Sequence, residues 1–124
     1  PKLRVAGFDI SSYGISHVKN EIRSEVFLHR ADDRYPYKDD TFDLVISLGC
    51  LHNLRLPSLN SAIREIERVG KNSYIMVESY RSNQELFNLQ CWALTAESFL
   101  DPEEWIWFFY RAGYSGDYEF IFFE

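Results

Sequence analysis

F-D-L-V-I-S-L at residues 42–48, P-S-L-N-S-A-I-R-E-I-E-R-V-G at 57–70 and S-Y-I-M-V-E-S at 73–79 read in turn as strand, helix and strand. The outer two are short apolar runs with β-branched members, which suits buried strands. In the middle stretch Leu59, Ala62, Ile63, Ile66 and Val69 fall on one helical face. Pro57 fits a first helical turn, where its missing N–H costs nothing, and Gly70 is a fitting stop. Strand, helix, strand in this order is the unit of a sheet covered by helices.

The alternation continues outward in both directions. Upstream, residues 3–10 (LRVAGFDI) and 25–29 (EVFLH) are strand candidates, and between them Ile15, Val18 and Ile22 at helical spacing predict a helix over about 12–23. A polar stretch at 31–41, with Pro36 and several aspartates, breaks the pattern before the strand at 42–48. Downstream, Ser82 with Glu85, and Asp101 with Glu104, have capping-box spacing and predict helices over 83–93 and 102–112. A turn at Gly116-Asp117 precedes a terminal strand at 118–123. The expectation is one α/β domain over residues 1–124 with five visible strands.

Composition narrows the function classes. The net charge of −6 creates no positive field to concentrate nucleic acid or an anionic membrane surface, so neither is an expected partner. No apolar run approaches the roughly 20 residues of a membrane span. Cys50 and Cys91 lie in no metal-binding or CxxC spacing, and no metal is expected. Two free thiols in a reducing, cytoplasmic setting is the reading preferred over a disulfide. Aromatics reach 17%, concentrated after residue 99, and predict an aromatic core there or an apolar contact surface.

In open parallel sheets ligands bind beyond the carboxyl ends of the strands, so polar residues just past each strand carry the candidate chemistry. Asp9, in G-F-D-I-S, is placed to accept hydrogen bonds from a ribose diol; the rival role is capping the next helix beside Ser11. Asp32, in A-D-D-R-Y-P-Y, is placed to accept an adenine amine, or is an ordinary turn aspartate. His52, in L-G-C-L-H-N-L, is a candidate general base, because imidazole exchanges protons near neutral pH; a structural loop histidine is the alternative. Cys50 as a nucleophile would need a base and an orienting group. Tyr80 and Arg81 line a substrate mouth or merely pack.

G-F-D-I-S, then A-D-D-R-Y-P-Y-K-D-D-T-F-D-L-V-I-S, then L-H-N-L and a helix with E-I-E-R-V, together resemble the class I S-adenosylmethionine-dependent methyltransferases that act on small molecules. The likeness covers about residues 4–80, and the stretch from Pro102 to Glu124 is similar to the last helix and strands of that fold. The resemblance implies a Rossmann-like sheet in the order 3-2-1-4-5-7-6, helices on both faces, and an antiparallel strand at the C-terminal end. It implies Asp9 and Ile10 at the cofactor ribose, Asp32 and Asp33 at the adenine, Ser47, Leu48 and Gly49 along the methionine part, and His52 near the substrate. The family's first strand and glycine-rich loop would precede residue 3 and are missing from this sequence. The 124-residue chain alone is therefore expected to bind S-adenosylmethionine weakly or not at all, with its sheet rearranged or completed by another chain, such as a homo-oligomeric partner. Two other readings stand beside this one: a nicotinamide-dependent oxidoreductase domain, and a non-catalytic binding or dimerisation module.

Overall fold

The computed structural model describes residues 3–124. In chain order the main elements are β1 (Gly7–Asp9), α1 (Ser12–Ser16), β2 (Val26–Leu28), β3 (Val45–Leu48), α2 (Leu56–Val69), β4 (Ser73–Ser79), α3 (Asn83–Trp92), α4 (Pro102–Ala112) and β5 (Asp117–Phe122). Short 3₁₀ turns at Asn20–Glu25 and Leu51–Asn53 precede β2 and α2. The strands form two sheets, β1-β2 and β3-β4-β5, and every ladder in them is parallel. No strand among the described residues joins the two sheets, so β1 and β3 each keep one unpaired edge.

The core lies between α2, α4 and one face of the three-stranded sheet. Leu59, Ala62, Ile63, Ile66 and Val69 line the buried face of α2, as their spacing predicts, and meet Ile75 and Val77 of β4. From α4 come Trp105, Phe109 and Ala112, with Phe109 stacking near Tyr114 and Tyr118 at 5.1 and 5.2 Å. The aromatic excess thus divides: Trp105 and Phe109 are buried, while Ile106, Trp107 and Tyr110 of the same helix remain exposed.

Side chains alternate across a strand, so Tyr74, Met76 and Glu78 point away from this core. That second face carries α3 at its carboxyl-end corner, where Trp92 stacks near Phe123 at 4.7 Å and Asn88 Nδ2 donates to the Phe123 carbonyl. Leu44, Ile46 and Leu48 are exposed.

Local chemistry explains the element ends. Asp101 and Glu104 form the full capping box of α4: Asp101 accepts from the Glu104 N–H at 2.8 Å and Glu104 accepts from the Asp101 N–H at 3.1 Å. At Ser82 one half of the box is present, the hydroxyl accepting from Glu85 N–H at 3.2 Å. Gly70 ends α2, as expected, and close packing is what requires glycine there. Its φ is −108°, and a Cβ there would sit 2.7 Å from Val45 Cγ2 and 2.8 Å from the Asn72 carbonyl oxygen. The close approach of β3, rather than backbone handedness, requires glycine.

Two expectations need correction. The C-terminal strand is parallel, not antiparallel: β5 runs beside β4 with Ile75 opposite Tyr118 and Val77 opposite Phe120. The chain between them crosses over through α3 and α4, and such a crossover returns a strand in the same direction. The helix expected over 12–23 stops at Ser16. Gly14 weakens it, and the Ser16 hydroxyl bonds the Tyr13 carbonyl at 2.8 Å, competing with the helical ladder. Among the described residues no helix is long and apolar enough to cross a membrane.

Ile63 is fully buried at the centre of this packing. Ile63→Ala is expected to lower the unfolding free energy by about 2–5 kcal/mol in urea denaturation. A change under about 0.5 kcal/mol, the range of exposed sites, would contradict the packing of α2 against β4.

Candidate active site

The first strand tip is built around Asp9. Its Oδ1 accepts the Ser11 N–H at 3.0 Å, and the Ser11 hydroxyl in turn caps α1 by accepting from Gly14 N–H at 3.1 Å. Asp9 therefore shapes the turn into α1, and its Oδ2 has no bonded partner among the described residues. The His29 N–H donates to the Asp9 carbonyl at 3.0 Å, holding the tips of β1 and β2 side by side. A cleft of about 470 Å³ opens here, lined by Ile10, Leu28, His29, Arg30 and Asp33.

Asp32 and Asp33 differ in what they face. Arg30 grips Asp32 through two bonds, Nε to Oδ1 at 3.0 Å and Nη2 to Oδ2 at 2.9 Å. This pair, chiefly, holds the Asp32 carboxyl below its usual range, against the opposing effect of partial burial and with help from the Ser58 hydroxyl. Asp33 is exposed and lines the cleft beside Ile10.

The loop carrying both acids is fastened to α2. Arg68 donates to Glu65 at 2.7 and 2.8 Å, to the carbonyls of Tyr37 and Tyr35 at 2.8 and 3.1 Å, and to Asp39 at 3.0 Å. Glu65 also accepts the Tyr35 N–H at 2.7 Å. The Arg68 hydrogen bonds are the main reason the Glu65 carboxyl is held below its ordinary value, with the Tyr35 N–H adding to them against desolvation.

At the tip of β3, Ser47 is half-buried opposite Ile75, Leu48 is exposed opposite Met76, and Gly49 turns the chain with φ +61°. A side chain at Gly49 would be strained by that φ, and its Cβ would stand 2.7 Å from Glu78 Oε1. Just beyond lies a second cleft of about 320 Å³, lined by Gly49, His52, Asn53, Trp92, Ala93, Leu94 and Thr95.

His52 is held on several sides. Its carbonyl accepts the N–H groups of Glu97 and Ser98 at 2.9 and 3.0 Å, and its ring lies 6.2 Å from the Trp92 ring. Nδ1 stands 2.7 Å from Glu78 Oε2, with both side chains buried, 6% and 4% exposed. The approach is off the ideal hydrogen-bond line, and neither atom has another partner among the described residues.

Glu78 and Trp92 were not singled out in the sequence. Glu78 did leave a signal, an acid near the carboxyl end of an otherwise apolar strand. Cys50 sits between the two strand tips. One side of it meets solvent, yet the protein crowding the other side pushes its thiol up, and the carboxylates of Asp9 and Glu78 add to that. An anion-facing thiol of this kind is a poor nucleophile. The two carboxylates act on it from the end of β1 and from β4. Arg81 has no free role at a substrate mouth. It donates to Glu85 and Glu124, at 2.6 and 2.8 Å, and lies over the Phe122 ring at 4.0 Å. No group of three metal-ligating side chains occurs among the described residues.

Residues 2–77 match the family model described as a methyltransferase domain, which is more than half of the chain. The chain belongs to the methyltransferase-domain family. No curated protein and no solved structure matches it. The methyltransferase match covers β1 to all but the end of β4, and stops one residue short of Glu78; α3, α4 and β5 lie outside it. Members of this family generally use S-adenosylmethionine as methyl donor. The residues present fit a nucleoside-bearing cofactor: Asp9 keeps Oδ2 free at a strand tip, and Ile10 and Asp33 line the adjoining cleft.

Loss of the Glu65 charge tests how the loop with Asp32 and Asp33 is held. The folded value is depressed, so its contribution is complete above the unfolded value of about 4.3 and is lost as pH falls through the lower folded value. Glu65→Gln is expected to cost about 1.5–3 kcal/mol at pH 7. The gap from the wild type should close on acidification below about pH 4. A gap that is unchanged across this window would overturn the assignment.

Proposed function

We propose that this protein transfers the methyl group of S-adenosylmethionine to an uncharged, small-molecule nucleophile. The observation that carries this reading is the cleft just past β3, which combines a buried, anchored histidine with an indole face and contains no lysine or arginine. A neutral acceptor suits such a lining. Asp9 and Ile10 would hold the ribose, Asp33 and Asp32 the adenine side, and Ser47, Leu48 and Gly49 the methionine part. Bound there, the cofactor supplies a methyl group on a cationic sulfonium. His52 would remove the acceptor's proton, so the chain contributes alignment and base catalysis.

The unpaired edges of β1 and β3 support a further element of this reading. A strand, with the glycine-rich loop that follows it in this family, would bridge the two sheets. We take it to come from an N-terminal extension, with a second copy of the chain as the alternative. On this view the 124-residue chain alone is not competent. The free thiols Cys50 and Cys91 suit a cytoplasmic setting.

Calorimetric titration with S-adenosylhomocysteine tests the reading. A chain extended by its upstream coding sequence is expected to bind, and Asp9→Asn in that chain to weaken binding about 10-fold or more, the loss of one charge-assisted hydrogen bond. Binding of a nicotinamide dinucleotide instead, or no binding by either form, would sink the proposal. The second outcome would favour a non-catalytic module, and a dimer of the 124-residue chain would favour sheet completion by a second copy.

A further inference from the structure

We propose that Glu78 is a positioning residue that keeps a proton on Nδ1 of His52, so that Nε2 faces the acceptor cleft as the base and the acceptor group is a hydroxyl. The inference rests on the methyl-transfer reading above and deepens it.

The contact itself demands a proton. Nδ1 and Oε2 lie 2.7 Å apart, and two lone pairs at that separation repel unless a hydrogen stands between them. Neither atom has another partner among the described residues, so they have only each other. Both side chains are buried, and a buried carboxylate without a partner is strongly destabilising. Glu78 is also closed in on its second oxygen, which packs against the backbone at Gly49. The arrangement that suits both groups is an Nδ1–H facing the carboxylate, along an approach somewhat off the ideal line.

The rest of the ring's environment agrees. The His52 carbonyl is pinned by Glu97 and Ser98, and Trp92 flanks the ring. With Nδ1 committed, the remaining nitrogen, Nε2, has no bonded partner among the described residues, while His52 lines the cleft. No other histidine, lysine or carboxylate lines it. Glu78 lies just beyond the stretch matched by the methyltransferase family model.

The chemistry selects the acceptor. A base at Nε2 is needed where the nucleophile carries a proton it does not give up unaided, which describes a hydroxyl and not a carboxylate or a tertiary amine. His52 takes the hydroxyl proton as the oxygen–carbon bond forms and the carbon–sulfur bond breaks, with that bond's electron pair staying on sulfur. The positive charge thereby passes from the sulfonium to the imidazole ring, where the Glu78 carboxylate offsets it until the proton leaves to solvent.

Nitrogen-15 NMR of the imidazole in the full chain tests the pairing without any turnover. At alkaline pH, where the ring is neutral, wild type is expected to show the Nδ1–H form and a low-field Nδ1 proton. Glu78→Leu removes the acceptor while filling the volume, and should convert the ring to the Nε2–H form. Should that variant not fold, Glu78→Gln keeps the shape and should lose the low-field proton. A wild-type ring already in the Nε2–H form, or a tautomer indifferent to both substitutions, would overturn the proposal.

Turnover in the cofactor-binding protein separates this from the parent reading. Glu78→Gln and His52→Gln should each lower kcat with a hydroxyl acceptor by about 100-fold, with the KM for the cofactor unchanged. A normal pairing by NMR with undiminished turnover in both variants overturns the base assignment. Loss of turnover in His52→Gln alone, without the pairing, overturns only the role of Glu78.

Discussion

Parallel pairing is the constraint on which the site depends. Because β1 and β2 run together, and β3, β4 and β5 run together, each sheet gathers its carboxyl ends on one side. Polar residues that follow those ends are then neighbours in space although far apart in sequence. Asp9 at the end of β1 and Glu78 in β4 both place a charge near enough to act on the thiol of Cys50, just past β3. The crossovers that make the ladders parallel are long enough to carry helices, and α2 and α4 use them to cover one sheet face, burying Ile75 and Val77 at its centre. The apolar core is therefore what aims the polar tips.

Against that background the burial of His52 and Glu78 is an energetic exception. Hydrophobic side chains of similar volume in both places would serve stability as well or better, since desolvating two ionisable groups offsets much of what their attraction returns. The pair makes physical sense as a device for holding one nitrogen of an imidazole in a fixed protonation form beside a cavity. Arg81 and Arg68 make an instructive contrast. Each uses several donors on carboxylates or carbonyls at the periphery, and each serves only to fasten a segment in place.

Much of the architecture was legible from periodicity. The buried face of α2 agrees residue for residue with its apolar spacing, and the capping box of α4 is formed by Asp101 and Glu104 as their separation implies. Other features depend on contacts that no local pattern encodes. Gly70 is set by how closely β3 approaches, the early end of α1 by a serine hydroxyl competing for a carbonyl, and the direction of β5 by its crossover. At the site, the sequence pointed to strand tips and so to Asp9 and Ile10, Asp32 and Asp33, Ser47 to Gly49, and His52. Its one trace of Glu78 was an acid in the otherwise apolar S-Y-I-M-V-E-S, and with His52 26 positions earlier nothing in either stretch names the other. The segment at 82–100, which carries no recognisable motif, supplies the cleft wall through Trp92, Leu94 and Thr95.

The central claim is that these strand tips form one cofactor-facing surface. Backbone amide chemical-shift mapping, with S-adenosylhomocysteine titrated into the N-terminally extended protein, addresses it most directly. Saturable shifts at Ile10, Asp33, Gly49 and His52 with a common dissociation constant are the expected result. Shifts confined to the exposed side of α4, or separate affinities for the β1 and β3 tips, would contradict it.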